Sequence, residues 1–112
     1  MYQYKAKLIR IVDGDTIDFS IDLGFDIWIR ERVRIMDIDT PEMRTKDLEE
    51  KQRGIDAYDF VRNAFDIHGH DVILHTEYDR GKYGRTLARV IFSNGYDLGN
   101  MLLENGHAEE YK

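Results

Sequence analysis

Gln52–Gly69 reads QRGIDAYDFVRNAFDIHG, and its period decides the fold. Ala57, Phe60, Val61, Ala64 and Phe65 recur at intervals of three and four and form one stripe of a helix, with Arg53, Asp56, Asp59, Arg62 and Asp66 elsewhere around it. Gly69, just beyond, is the stop such a helix takes. On both sides of this segment the period is two. Upstream, Tyr2, Tyr4, Ala6 and Leu8 alternate with Gln3, Lys5 and Lys7, and Ile17, Phe19, Ile21 and Leu23 alternate with Asp18, Ser20 and Asp22. Ile27, Ile29, Val33 and Ile35 carry a third strand that sets Arg30, Arg32 and Arg34 on its other face. Asp13-Gly14 separates the first two strands as a tight hairpin turn, or bends one continuing strand as a glycine bulge. Gly24–Asp26 turns the chain between the second and third.

Downstream, Val72–Tyr78 and Arg85–Phe92 read as two further strands joined by DRGKYG, and Asn94-Gly95 as a turn. Asp97 caps a short helix carrying Leu98, Met101, Leu102 and Leu103, with Gly106 as its stop. Residues 37–51, polar and holding the only proline, Pro41, read as a loop. Five strands with a helix between the third and fourth predict a five-stranded OB-type barrel with two helices, a mainly β, α+β fold. The exposed face of such a barrel commonly holds oligonucleotides or oligosaccharides. The 112 residues suffice for one core and not two, so the expectation is a single domain over 1–112.

No apolar run approaches the ~20 residues of a membrane span, and Met1–Ile11 lacks a signal peptide's apolar region, so the chain reads as soluble and unexported. Without cysteine there are no disulfides and no thiolate metal sites. The net charge of −6 runs against a nucleic-acid partner, because affinity for nucleic acid comes largely from neutralised phosphates. That charge is uneven. Residues 37–66 and the tail from 97 hold most of the acid, whereas residues 74–92 hold Arg80, Lys82, Arg85 and Arg89 against Glu77 and Asp79.

Three groups of residues carry candidate chemistry. Counting in twos from Ile17 places Asp15 on the apolar side of its strand, where a carboxylate is costly unless a cation or several donors meet it; a bulge at Gly14 would instead make Asp15 a turn cap. Asp37, Asp39 and Glu42 crowd three carboxylates into six residues, a pattern usual for a solvated loop. Pro41 biases Thr40 to an extended backbone and so fixes where the Thr40 carbonyl and the Glu42 side chain project. Hard divalent cations take ligands of this kind. Arg34 and Arg85 flank the acidic cluster, and a guanidinium fork matches phosphate oxygens bidentately. If Asp15, Asp39 and Glu42 converge with no ion between them, they repel, and Asp15→Asn is expected to raise stability in chelator.

VDGDT (Val12–Thr16), RVRIMDIDTPE (Arg32–Glu42) and KYGRTLARV (Lys82–Val90) resemble, in order and spacing, the three signature blocks of the staphylococcal-nuclease-like family. NGYDLGNMLLENGHA (Asn94–Ala108) resembles the turn and helix that follow them, so the similarity spans the domain. The resemblance implies a metal-dependent nuclease hydrolysing DNA or RNA and leaving 3′-phosphates. It implies that Asp15, Asp39 and the Thr40 carbonyl bind Ca²⁺ and that Glu42 is the general base toward the attacking water. It further implies that Arg34 and Arg85 clamp phosphate, and that Lys82 and Tyr83 contact a terminal phosphate. The chain departs from the family in a shorter basic loop before KYGR and in an acid-rich stretch after Glu42. Family members also often continue past the position of Lys112 into a third helix, and Tyr111 is not matched to the family aromatic that stacks on the base. The reading from another class is a non-catalytic OB module that binds single-stranded nucleic acid or a protein partner.

The remaining candidates read as structural. His68, His70, His75 and His107 read as solvated or core histidines rather than a zinc site. Trp28 reads as core or barrel surface rather than a base platform, and Tyr58, Phe60 and Phe65 as core.

Overall fold

In a computed structural model, which describes residues 2–77 and 86–111, five strands close into a barrel in the order β1-β2-β3-β6-β5. The strands are β1 (Tyr2–Asp13), β2 (Thr16–Asp22), β3 (Trp28–Ile35), β5 (Asp71–Thr76) and β6 (Thr86–Phe92). Helix α1 (Leu48–His68) stands between the third and fourth barrel strands, and α2 (Leu98–Glu104) follows the fifth. Two short strands, β4 (Ile38–Asp39) and β7 (Glu109–Glu110), pair beside the barrel. Neighbouring strands are antiparallel except β3 and β6, whose parallel rungs from Val33↔Thr86 to Ile35↔Ala88 close the cylinder. The predicted OB-type barrel with two helices is the observed one.

The alternation explains the core. Ile17, Phe19 and Ile21 of β2 point inward and meet Val33, Leu74, Val90 and Phe92 from the other strands. β1 is twelve residues long and shifts register between Leu8 and Arg10 and again between Ile11 and Asp13. Irregularities of this kind let one strand curl around a small barrel. Helix α1 contributes Val61, Ala64 and Phe65, with Phe65 edge-on to Phe92 at 5.1 Å and tilted against Phe19 at 6.2 Å. Leu98 and Leu102 bring α2 onto the same core.

Several boundaries and burials differ from the sequence expectation. Helix α1 begins at Leu48, four residues before Gln52, because the Asp47 carboxylate accepts from the backbone N–H groups of Glu49 and Glu50. The acid-rich stretch after Glu42 is therefore mainly a helix start, where negative charge suits the helix dipole. Of the predicted core aromatics Phe65 is buried and Phe60 half-buried against the core, but Tyr58 stands outside it. Ile27, which precedes β3, and Ile29, which pairs with the buried Ile21, are exposed rather than core. Asp13-Gly14 belongs to a hairpin: Asp13 pairs with Thr16 across the two-residue turn Gly14-Asp15. No described helix is long and apolar enough to cross a membrane.

Candidate active site

The β1–β2 turn, the end of β3 and the β4 segment meet where α1 packs on the barrel. Two glycines let them meet closely. A Cβ on Gly14 would stand 3.0 Å from both Ala57 of α1 and the Thr40 hydroxyl. One on Gly54 of α1 would stand 2.8 Å from the backbone of Pro41 and Glu42. Glycine in a helix interior costs ~1 kcal/mol against alanine, and here it gives the Thr40–Glu42 segment a seat directly on the helix.

Asp15 occupies the turn, and its side chain lies inside. The residue is 8 % exposed, and each of its oxygens has partners. Oδ2 accepts from the Thr40 backbone N–H at 3.2 Å and lies 3.1 Å from Arg34 Nη1. Oδ1 accepts from the Thr16 hydroxyl at 3.1 Å. The Asp15 carbonyl accepts from Ile35 N–H at 2.8 Å, which ties the turn to β3. Arg34, 9 % exposed, extends its second nitrogen to Asp39 Oδ1 at 3.2 Å. It also donates to the Ile35 carbonyl and lies 5.7 Å from the Tyr111 ring centre, within cation–π range. One guanidinium thus stands between two carboxylates that come from different elements.

The electrostatics follow from this packing. Burial, the largest influence on Asp15, pushes its pKa up, but the hydrogen bond from Asp13, the charge of Arg34 and the Thr40 N–H outweigh it, and the net direction is down. Asp13 takes the opposite course. Burial, then the hydrogen bond and charge of Asp15, raise its pKa from 3.8 to about 6. Asp39 is raised by burial, eased by Arg34, and raised again by Asp15 and by Glu109, its partner across the β4–β7 rung. The corner is therefore an ion pair with surplus acid beside it. Because Arg34 stands between Asp15 and Asp39, the expected effect of Asp15→Asn changes sign: it removes an attraction, and stability should fall.

Glu42 is exposed and makes no bond to Arg34 or Asp15, but it lines the same cleft as Asp39 and Thr40. That cleft, about 280 Å³, is also lined by Glu50, Arg53 and His107. Asp15, Arg34, Asp39 and Thr40 are in direct contact, with Glu42 on the adjoining cleft. Arg85, Lys82 and Tyr83 lie outside the described residues.

Sequence reasoning passed over two participants. Asp13 was visible as a second carboxylate two residues before Asp15, and Gly54 as a glycine inside a helical pattern, which needs a packing reason. Tyr111, left unassigned in the sequence beside the family's base-stacking aromatic, lies against Arg34.

What the corner can hold follows from its donors. Two carboxylates already converge on one positive group, and among the described residues no third His, Cys, Asp or Glu joins them as a metal cluster. An oxygen set of this kind fits a hard ion such as Ca²⁺, with water completing the shell, and lacks the His and Cys that zinc prefers. A phosphate oxygen would find Arg34 with both terminal nitrogens already oriented.

Comparison with known proteins agrees with the geometry. The family model described as staphylococcal nuclease homologue matches residues 32–112. An uncharacterised protein of Bacillus anthracis is 34% identical over 92% of this chain and 45% of its own length. A protein of Escherichia coli named ParB is 34% identical over 79% of this chain and 42% of its own. A thermonuclease of Staphylococcus intermedius is 39% identical over 72% of this chain and 45% of its own. The chain thus spans less than half the length of these relatives.

Proposed function

We propose, from the premise that this chain belongs to the family of staphylococcal nuclease homologues, that it is a Ca²⁺-dependent phosphodiesterase cutting DNA or RNA. The observation that carries the reading is Arg34 held at 3.1 and 3.2 Å between the Asp15 and Asp39 carboxylates, beside the cleft that Glu42 lines. Residues 1–112 would form the single catalytic domain.

The residues divide the work by their chemistry. Asp15, Asp39 and the Thr40 carbonyl would hold Ca²⁺, which when bound supplies a Lewis acid for a phosphate oxygen. Glu42, exposed to solvent, takes a proton from the attacking water, directly or through a second water. Arg34 and Arg85 donate to the oxygens on which charge grows in the transition state, and this electrostatic role is the larger contribution. Lys82 and Tyr83 contact a terminal phosphate. Water adds hydroxide to phosphorus and a proton to the departing 5′ oxygen, leaving a 3′-phosphate and a 5′-hydroxyl.

A second reading is a non-catalytic barrel that binds single strands or a protein, and the net charge of −6 favours the protein partner. Kinetics on a labelled oligonucleotide in saturating Ca²⁺ separate the two. Arg34→Lys and Glu42→Gln should each lower turnover by roughly 10²-fold or more. Near-native rates in both variants would overturn the residue assignment, and a native chain that binds the oligonucleotide without cutting it would favour the binding module.

A further inference from the structure

The turn between β2 and β3 carries a side chain that suits neither its backbone nor its solvation. Ile27 N–H donates to the Gly24 carbonyl at 2.9 Å, and between them Phe25 and Asp26 take φ of 55° and 61°. A hairpin turn with both central residues left-handed favours Asn and Gly, and a bulky residue there is strained. Phe25 is also 97 % exposed. Leu23, Ile27, Trp28 and Ile29 beside it are exposed as well, so five apolar side chains stand open within seven residues. Strain and apolar exposure of this kind persist where something uses them.

The same end of the molecule holds a receptor for such a side chain. An apolar cleft of about 400 Å³ opens between Trp28, Val72 and Ile73. Phe25, almost fully exposed, does not fill it, although Trp28 follows only three residues later. An apolar cavity of ~150 Å³ takes a benzene ring, so this one takes a phenyl group with room for a neighbour.

Charge distinguishes the two parts. Asp26, next to Phe25, is exposed at the tip of the turn. Asp22, across from Trp28, is engaged with the backbone of the turn, accepting from Gly24 N–H at 2.8 Å. The lining of the cleft holds two cations, Lys5 and Lys7, against one carboxylate, Asp71. Lys7 Nζ lies 5.9 Å from the Trp28 ring centre, which leaves Lys5 as the open cation of the rim. Among the described residues neither Asp26 nor Lys5 takes part in an ion pair. The projection is therefore negative where the cleft is positive.

We propose that this end of the barrel binds a second copy of the chain, with Phe25 of each copy seated in the other's cleft between Trp28 and Ile73, and Asp26 meeting Lys5 at its rim. A two-fold contact requires one surface to carry both halves of a complementary pair. Here projection and cleft, of opposite charge, stand side by side on one chain. A phenyl ring takes ~150–250 Å² out of water at each of the two seats, so the contact is small and the association modest. Arg34 stands at the other end of β3, ~20 Å from Trp28 at ~3.4 Å per residue. Both candidate active sites therefore stay open in the pair, and the inference does not depend on the phosphodiesterase reading.

Trp28 is the chain's only tryptophan and lines the cleft, so its emission reports whether the seat is filled. Sedimentation velocity and Trp28 emission are followed together on the native chain from about 1 µM to about 1 mM. A monomer–dimer equilibrium with a dissociation constant of roughly 10–100 µM is expected, with emission moving to the blue as the dimer forms. Phe25→Ser acts at both seats, so it should raise that constant roughly 10³-fold and leave the chain monomeric, with constant emission, throughout the range. Asp26→Lys and Lys5→Glu should each weaken association about tenfold, and the two changes together should restore it. Such a rescue separates a specific seat from the general stickiness of an exposed ring. A native chain still monomeric at about 1 mM would overturn the proposal. So would Phe25→Ser associating like the native chain, or a double variant that associates no better than the single ones. Emission that moves only when phosphatidylserine vesicles are added, with the chain monomeric, would overturn it too and assign the turn to a membrane surface.

Discussion

Arg34 and Arg30 stand four residues apart on the same face of β3, and their surroundings are opposite. Arg34 is buried, is paired with two carboxylates and lies against Tyr111. Arg30 is exposed, with no carboxylate partner among the described residues, and Arg32 between them shares a surface pair with Asp18. The strand supplies the same side chain at each rung; what differs is what packs against it. At the inner end the β1–β2 turn supplies Asp15 and β4 supplies Asp39 to the guanidinium, so its geometry is held before any ligand arrives. At the outer end nothing described covers the sheet, and the charge of Arg30 is left to solvent.

The largest effect should separate the two ends outright. Arg34→Ala leaves Asp15 buried with its charge unbalanced and should lower stability by about 3–5 kcal/mol, whereas Arg30→Ala should stay within about 0.5 kcal/mol of native. Chemical denaturation of both variants in metal-free buffer checks this, and equal losses would break the contrast.

Gly54→Ala sharpens it from the helix side. In an open helix this change gains ~1 kcal/mol. Here the new methyl meets the Pro41–Glu42 backbone at 2.8 Å, so a loss of about 1–3 kcal/mol is expected, with a fall in turnover as Glu42 is displaced. A raised melting temperature with full activity would show that the segment does not rest on the helix.

The surplus acid beside Arg34 gives a pH dependence. Asp13 holds its proton in the folded state up to about pH 6, whereas its ordinary value is 3.8. Its contribution to stability is therefore complete below the ordinary value and is lost as pH rises through about 6. Asp39, also raised, works in the same direction. Asp15 and Asp18, both lowered, contribute stability that is lost only as pH falls below the ordinary carboxylate range. Metal-free thermal melts should therefore rise from pH 7 to pH 5, by on the order of 1 kcal/mol once the half-exposure of Asp13 is discounted. Asp13→Asn should flatten that slope, and a native slope of the opposite sign would refute the assignment.

The smallest effect lies at the exposed end. Phe25 and Asp26 form the β2–β3 turn with φ of 55° and 61°, a left-handed pair that favours glycine at the second position. Asp26→Gly should raise stability by about 0.5–1 kcal/mol, several degrees in Tm for a domain of this size. An unchanged or lowered Tm would mean that the Asp26 side chain holds the turn.

The barrel was legible because its signals are local. The alternation of Ile17, Phe19 and Ile21 and the stripe from Ala57 to Phe65 each report the face they bury. The helix start at Leu48 was missed because the cap, Asp47, sits in a run of acid that reads as loop until its carboxylate is seen on the backbone N–H groups of Glu49 and Glu50. In the site, the residue types and their order were legible, but the pairings were not. That Arg34 stands between Asp15 and Asp39 depends on three elements meeting, and no spacing along the chain encodes it. Trp28, read as core or barrel surface, is barrel surface.

The central claim is that the Asp15, Arg34, Asp39 corner serves hydrolysis with a hard cation bound. Its most direct test is cleavage of a labelled single-stranded oligonucleotide by the native chain while Ca²⁺ is titrated against chelator. The account predicts cutting that rises and saturates with Ca²⁺, stops in excess chelator, leaves 3′-phosphate ends and is poorly supported by Mg²⁺, which keeps its waters and demands a tighter octahedron. Full cleavage in chelator, or none at any Ca²⁺ concentration, would contradict it.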